Sequence, residues 1–549
     1  MVKTGFHSVI LFFFLLLLSF CQPKTKRNSD KQVFRYNEAS GITSLDPAYA
    51  VNQANIWGTN QLFNGLVQLN DRLEIIPAIA HSWDISPDGL NYSFYLRTDV
   101  FFHDHDGFPE GKGRKVTADD FVFSFNRILD PTIASPGAWV FNYVNRSHDK
   151  PMFTVENDST LNIRLKRSFP PFLSLLSMQY CAVVPEEIVA KYGTDFRRNP
   201  IGTGPFMFKY WEEGVKLIFV RNENYFERED GHPLPYLDAV AITFLIDQQS
   251  AFLEFVKGNL DFLSGIDPSY KDELLTSRGE LNPKYHDKFY MITQPYLNTE
   301  YLGFLVDPEI GDKSDPLKNI AIRKAINYGF DRKKMIKYLR NGIGTPGFYG
   351  IIPPGLPGFN SSEGLKQEFN PDKARSYLEK AGFDSGETLS GITLSTTSEY
   401  LDLCEYIQHQ LSEIGIEIEI DVNPPATLKE LKAQAKLPFF RASWIADYPD
   451  AENYLSLFYG KNFCPTGPNY THYYSSVYDS LFDAAMTQSN DSLRYRNYMK
   501  MNHIIMEESP VIILYYDQVL RFVQKNIEGI GSNPINLLSL KKVKKTINW

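Results

Sequence analysis

Apolar and polar positions alternate with a period of two over residues 33–37 (Val-Phe-Arg-Tyr-Asn) and 416–420 (Ile-Glu-Ile-Glu-Ile), the pattern of half-buried strands. Residues 92–96 give another strand, bounded by Pro87-Asp88-Gly89 and Asp99, and further strands fall at 206–211, 239–246, 301–306 and 510–516. The period changes to that of a helix at Phe121, Val122, Phe125 and Ile128, behind Thr117-Ala118-Asp119-Asp120, which resembles a capping box with Asp in place of Glu. Helices are also predicted over 249–256 and 320–328, and over 332–339 with Asp331 as cap. Asn370-Pro371 supplies an N-cap and a proline at the first helical position, and Gly382 closes that helix. Gly65 is the expected C-cap of a helix ending near Phe63. Residues 342–359 hold four prolines and six glycines and read as one long ordered loop. Strands and helices alternate throughout and strands return late, which predicts an α/β protein of two lobes joined by more than one crossing.

At 549 residues the chain exceeds what one hydrophobic core usually organises. It is 43% apolar and 22% charged, ordinary for a globular protein, and carries a net charge of −9. Its one dense basic stretch is residues 541–545, so nucleic acid is excluded as a main partner. Aromatic content is high at 14%, and most of these rings are expected in the core.

The N-terminus reads as a targeting segment: Lys3, then an apolar run over residues 9–20, too short for a span of about 20 residues. Leu18-Ser19-Phe20-Cys21 resembles a lipoprotein lipobox, with Phe20 where a small residue is usual, and makes Cys21 the expected lipidation site after a signal peptide of residues 1–20. The polar residues that follow, to about residue 32, form a tether. Cys181, Cys404 and Cys464 match no zinc or redox spacing and are expected to be structural. His103 and His105 in Phe-Phe-His-Asp-His-Asp would share one face of a strand, but two histidines without a third ligand do not make a metal site. There is no nucleophile elbow, phosphate loop or dinucleotide fingerprint. No cofactor, metal or catalytic residue is expected.

Residues 441–455 (Arg-Ala-Ser-Trp-Ile-Ala-Asp-Tyr-Pro-Asp-Ala-Glu-Asn-Tyr-Leu) carry the strongest candidate chemistry. Ser443-Trp444-Ile445 can be extended, Tyr448-Pro449-Asp450 breaks the run, and a helix can start with Asp450 as N-cap. Asp447 then sits where a strand gives way to a loop, as either a turn residue or a functional carboxylate.

Seven stretches, in order over about 400 residues, resemble the large oligopeptide- and dipeptide-binding family of extracytoplasmic solute-binding proteins of ABC importers. They are Ser44-Leu45-Asp46-Pro47, Leu62-Phe63-Asn64-Gly65-Leu66, Val116-Thr117-Ala118-Asp119-Asp120-Phe121-Val122, Gly202-Thr203-Gly204-Pro205-Phe206, Arg323-Lys324-Ala325-Ile326 with Asp331-Arg332, Asn370-Pro371-Asp372-Lys373-Ala374, and Trp444-Ile445-Ala446-Asp447-Tyr448. The resemblance implies a two-lobe periplasmic-binding-protein fold, class II-like with an extra inserted domain, hinged as a clamshell. Domain I is expected over 33–75 with 195–293 and 515–549, domain II over 76–194, and domain III over 294–514, with crossings near Gln294 and Tyr515. It implies a peptide ligand held as an added strand between Val51-Asn52-Gln53 and Ser443-Trp444-Ile445, its ammonium on Asp447. Arg441 and Arg340 match basic residues that meet the peptide's carboxylate, and Trp139 falls where relatives place an aromatic. Asn298 and Ile445 stand where some relatives have a cysteine pair, and Leu401 where some have a histidine. Permease subunits, a membrane reached through the N-terminal lipid and a monomeric state follow from the same resemblance. An oligosaccharide or a metal chelate in the same fold, and a secreted hydrolase, stay open as alternatives.

Overall fold

The computed structural model describes residues 31–146, 151–267, 269–361, 366–384 and 386–546; the expected lipidation site and tether before residue 31 lie outside them. One sheet runs the length of the molecule. From one edge its order is Ile416–Val422, Leu389–Thr396, Phe439–Ile445, Phe289–Phe304, Val511–Gln524, Phe262–Ser264, Val33–Asn37, Ala239–Thr243, Lys216–Arg221 and Phe206–Glu212. The two long central strands carry the sheet from one lobe to the other. Phe289–Pro295 pairs with Gln518–Gln524 beside the first-lobe strands, and Thr299–Gly303 pairs with Val511–Tyr516 beside Phe439–Ile445. Between the two blocks the register shifts, with Pro295 opposite Gln518 and Thr299 opposite Tyr516. Proline has no N–H for the ladder, so the pairing is interrupted at the crossing itself.

A separate four-stranded sheet, in the order Ala80–Ile85, Asn91–Leu96, Thr160–Arg164, Phe153–Asn157, forms the inserted unit. Helix Ala118–Leu129 covers it through Phe121, Phe125 and Ile128, all buried, with the Phe125 ring 4.8 Å from Phe141 and 5.2 Å from Phe153. Its capping box forms as expected: the Thr117 N–H donates to the Asp120 carboxylate at 2.8 Å. The predicted starts of helices Arg332–Leu339 and Pro371–Lys380 are also found, on Asp331 and Asn370.

Three local expectations are corrected. Gly65 does not cap a helix: Gln53–Leu62 ends on Phe63 in extended geometry, and Gly65 packs instead against the Leu176 and Cys181 carbonyls. Strands 301–306 and 510–516 are halves of strands of 16 and 14 residues. These second-lobe halves are buried on both faces, so no alternation marks their extent. His103 and His105 lie outside any strand and hold different partners. The His103 ring is buried and its Nε2–H donates to the Gly204 carbonyl at 3.0 Å, while His105 turns to Tyr192. Burial pushes His103 down to about 4, outweighing the Gly204 hydrogen bond and the nearby Asp104 charge, so it stays neutral and clamps the Gly202–Gly204 loop. Among the described residues no set of three or more His, Cys, Asp or Glu could hold a metal, no helix is long and apolar enough to cross a membrane, and Cys181, Cys404 and Cys464 are buried free thiols.

Candidate binding cleft

The strand Phe439–Ile445 has one satisfied edge and one that is largely open. On one side Ile445, Trp444 and Ser443 pair with Asn298, Thr299 and Glu300. On the other, its only strand pairing among the described residues is Phe440 with Ser395, so the stretch 443–445 offers main-chain groups with no neighbouring strand. Ile445, 49% exposed, faces the gap between the lobes. Across the gap stands Val51, 59% exposed, at the head of helix Gln53–Leu62. Asn52 is the cap of that helix; its side chain accepts the Asn55 N–H at 2.9 Å and does not line the cavity.

Two adjoining cavities fill the gap. The first, about 580 Å³, is lined by Val51, Gln53, Trp139, Tyr180, Ile445, Asp447 and Tyr448 among others. The second, about 770 Å³, lies on the hinge side and includes Arg340, Tyr400, Tyr515 and Asp517. Gln53, Trp57, Tyr296 and Asn536 line both, and so form the neck between them. At the mouth of the first cavity Trp139 meets Tyr448 at 6.2 Å between ring centroids, the place where the inserted unit approaches the second lobe.

Asp447 is the exposed carboxylate of the first cavity. The other charged residue there, Lys541, is occupied by Glu227 at 2.5 Å and Gln68 at 2.7 Å. Crowding by the protein around it raises the Asp447 carboxyl above its ordinary range, and the Asn453 side chain pulls it back. An acid in that setting gains most from a cation brought against it. Behind it, Asp450 accepts the Glu452 N–H at 2.9 Å, which places the helix Glu452–Leu455 one residue later than expected, with Ala451 as its cap position. Asp450 itself is buried on Arg494 and Tyr498 at 2.8 Å each.

The other sequence-derived residues fall into three places. Val51, Gln53, Trp139, Ile445 and Asp447 line the first cavity. Arg340 lines the second, but its guanidinium is committed to Asp517 at 2.6 Å and the Tyr515 hydroxyl at 2.8 Å. Arg441, Ser443 and Trp444 line neither cavity. Arg441 is buried, ion-paired with Glu300 and stacked on Tyr400, so its charge is spent inside the protein. The Trp444 indole N–H donates to Asn453 Oδ1 at 2.7 Å. Sequence reasoning missed Tyr180, Tyr296 and Asn536, which come from segments with no local signal. It also missed Asn453, which lay in view within residues 441–455.

A model of the bacterial extracellular solute-binding proteins, family 5 (middle), matches residues 74–463. Heme-binding protein A of Haemophilus influenzae is 25% identical over 92% of this chain and 91% of that protein. The dipeptide-binding protein DppE of Bacillus subtilis is 24% identical over 94% of this chain and 92% of its own length. The structure of HbpA2 from Haemophilus parasuis, 22% identical, superimposes with a TM-score of 0.81 over 94% of this chain and all of that one. The α/β fold described above is therefore that of the family 5 periplasmic binding proteins. The chain belongs to the family 5 bacterial extracellular solute-binding proteins.

Proposed function

We propose that this protein is the substrate-binding component of an ABC importer, and that it captures short peptides with a free amino terminus and delivers them to the permease subunits. The observation that carries the reading is Asp447, a carboxylate with no ion-pair partner, beside an unpaired strand edge in the cleft between the lobes. A peptide satisfies both at once: its main chain extends the sheet at 443–445 and its ammonium meets Asp447. The dipeptide ligand named for the Bacillus subtilis relative supports this reading. Side chains of the ligand point into cavities that are mixed in character, so main-chain recognition dominates.

The two lobes, in the division given by the sequence, close over the ligand by flexing at the interrupted pairing near Pro295. No cofactor or catalytic group takes part. Anchoring follows from acylation of Cys21, which leaves a monomeric receptor tethered outside the membrane within reach of the permease. The test is to denature the purified protein and identify what it releases by mass spectrometry. Peptides with unblocked amino termini are expected; an oligosaccharide, a metal chelate or a haem in their place overturns the proposal.

A further inference from the structure

The second cavity, about 770 Å³, carries an unbalanced charge. It lies at the far end of the open strand edge from Asp447: Arg441, two residues before Ser443, is stacked on Tyr400, and Tyr400 lines this cavity. Six positions separate Arg441 from Asp447, roughly 20 Å at about 3.3 Å per extended residue. A ligand paired along residues 443–445 with its ammonium on Asp447 therefore sends its later residues past Gln53, Trp57, Tyr296 and Asn536 into this space. Six charged side chains line it: Glu38, Lys271, Arg340, Glu399, Asp402 and Asp517. Arg340 and Asp517 neutralise each other at 2.6 Å, and the Tyr515 hydroxyl and Ile343 carbonyl take further guanidinium N–H groups. Arg441, behind Tyr400, is spent on Glu300. Among the described residues the other four have no ion-pair partner, so three carboxylates face one ammonium. Even full pairing with Lys271 leaves two negative charges in excess.

We propose that the second cavity receives a cationic side chain of the bound peptide, and that Glu38, Glu399 and Asp402 set this preference. The assignment rests on the ligand being a peptide whose ammonium meets Asp447. A ligand carboxylate brought here finds no guanidinium free for paired N–H bonds and meets a surplus of like charge. A lysine or arginine side chain finds the reverse. Its apolar stem packs on Ile266 and Ile343, half-buried residues of the same wall, while its tip reaches the carboxylates. Glu38 follows the first-lobe strand Val33–Asn37, whereas Glu399 and Asp402 stand at the start of the helix Leu401–Ser412, between strands of the second. A cation held by both groups therefore favours closure as well as binding. Burial raises the Glu38 carboxyl against the pull of its Ser40 hydrogen bonds, and a cation beside it relieves that cost. Asp402, in the first turn of its helix, also suits the helix dipole; Glu38, after a strand, has no such role.

The experiment is calorimetric titration of the full-length protein with pentaalanine amides that keep a free amino terminus. Each carries lysine, norleucine or glutamate at one of the second to fifth positions; norleucine keeps the stem of lysine without its charge. At the position that reaches the cavity, lysine is expected to bind about 10-fold tighter than norleucine, and glutamate weaker than both, the scale of two or three exposed charge pairs. The lysine gain shrinks as salt rises from about 20 to about 500 mM, because exposed pairs are screened. Combining Glu38→Gln, Glu399→Gln and Asp402→Asn is expected to bring the lysine-to-norleucine affinity ratio to within about twofold of unity. The salt dependence of the wild type decides the matter if that variant does not fold. Lysine and norleucine peptides within about twofold of each other at every position overturn the assignment, as does a lysine gain that the triple variant keeps or that salt leaves unchanged. In those cases binding of unsubstituted pentaalanine amide leaves the peptide reading standing. A wild type that binds none of these peptides overturns both.

Discussion

Replacing Asp447 by Asn removes a charge from the cleft wall and changes little else, because the amide has nearly the same shape and keeps one oxygen facing the cavity. Among the described residues Asp447 is the only charge lining the first cavity that is not ion-paired within the protein, since Lys541 is held by Glu227. Loss of the Asp447 charge is therefore not made good by a neighbour. A charge pair at about 4 Å is worth about 4 kcal/mol at an effective dielectric of 20. The oxygen retained in Asn still accepts a hydrogen bond worth about 1 kcal/mol net. The balance is a loss of about 2–4 kcal/mol, inside the range for truncating a buried charge pair, or about 30- to 1000-fold in Kd. Calorimetry at neutral pH with a free-amine peptide and its N-acetyl form measures it directly, the acetylated form losing little because it brings no cation. A free-amine Kd within about threefold of wild type in Asp447→Asn would refute the reasoning, because that is well under 1 kcal/mol.

Three further outcomes follow from the same structure. Glu300→Ala strands Arg441 as a buried cation without its partner and is expected to cost about 3–5 kcal/mol of stability in urea denaturation, with no preference gained or lost between peptide acids and peptide amides. Gly202→Ala places a Cβ 2.1 Å from the Leu62 carbonyl oxygen, so backbone must move; a loss of about 1–3 kcal/mol is expected by the same assay, and an unchanged midpoint contradicts the close packing of that loop. Glu452 is raised from 4.5 to about 7 by burial, so between those values the folded state keeps a proton that the unfolded chain has released. Stability therefore falls as pH rises through that window and levels off above it, and Glu452→Gln flattens the slope; a wild-type slope of the opposite sign rejects the assignment.

What the sequence determined by itself is what short-range physics encodes. The cap residues Thr117, Asp331 and Asn370 act on N–H groups within three positions of themselves, and they start helices where they were expected to. The extended run at 443–445 and the break at Pro449 were legible for the same reason, as was Asp447 at the end of the strand. Tertiary structure decided which charges remain available. Arg441 and Arg340 look alike in the sequence as partners for a carboxylate. Glu300, 141 positions away, takes the charge of Arg441, and Asp517, 177 positions away, takes that of Arg340. Trp444 was placed on the ligand by its position and on Asn453 by its hydrogen bond. The necks and walls made by Tyr180, Tyr296 and Asn536 are assembled from three distant segments. Whether a buried polar group is free depends on what folding brings within hydrogen-bond reach, and no local pattern carries that information.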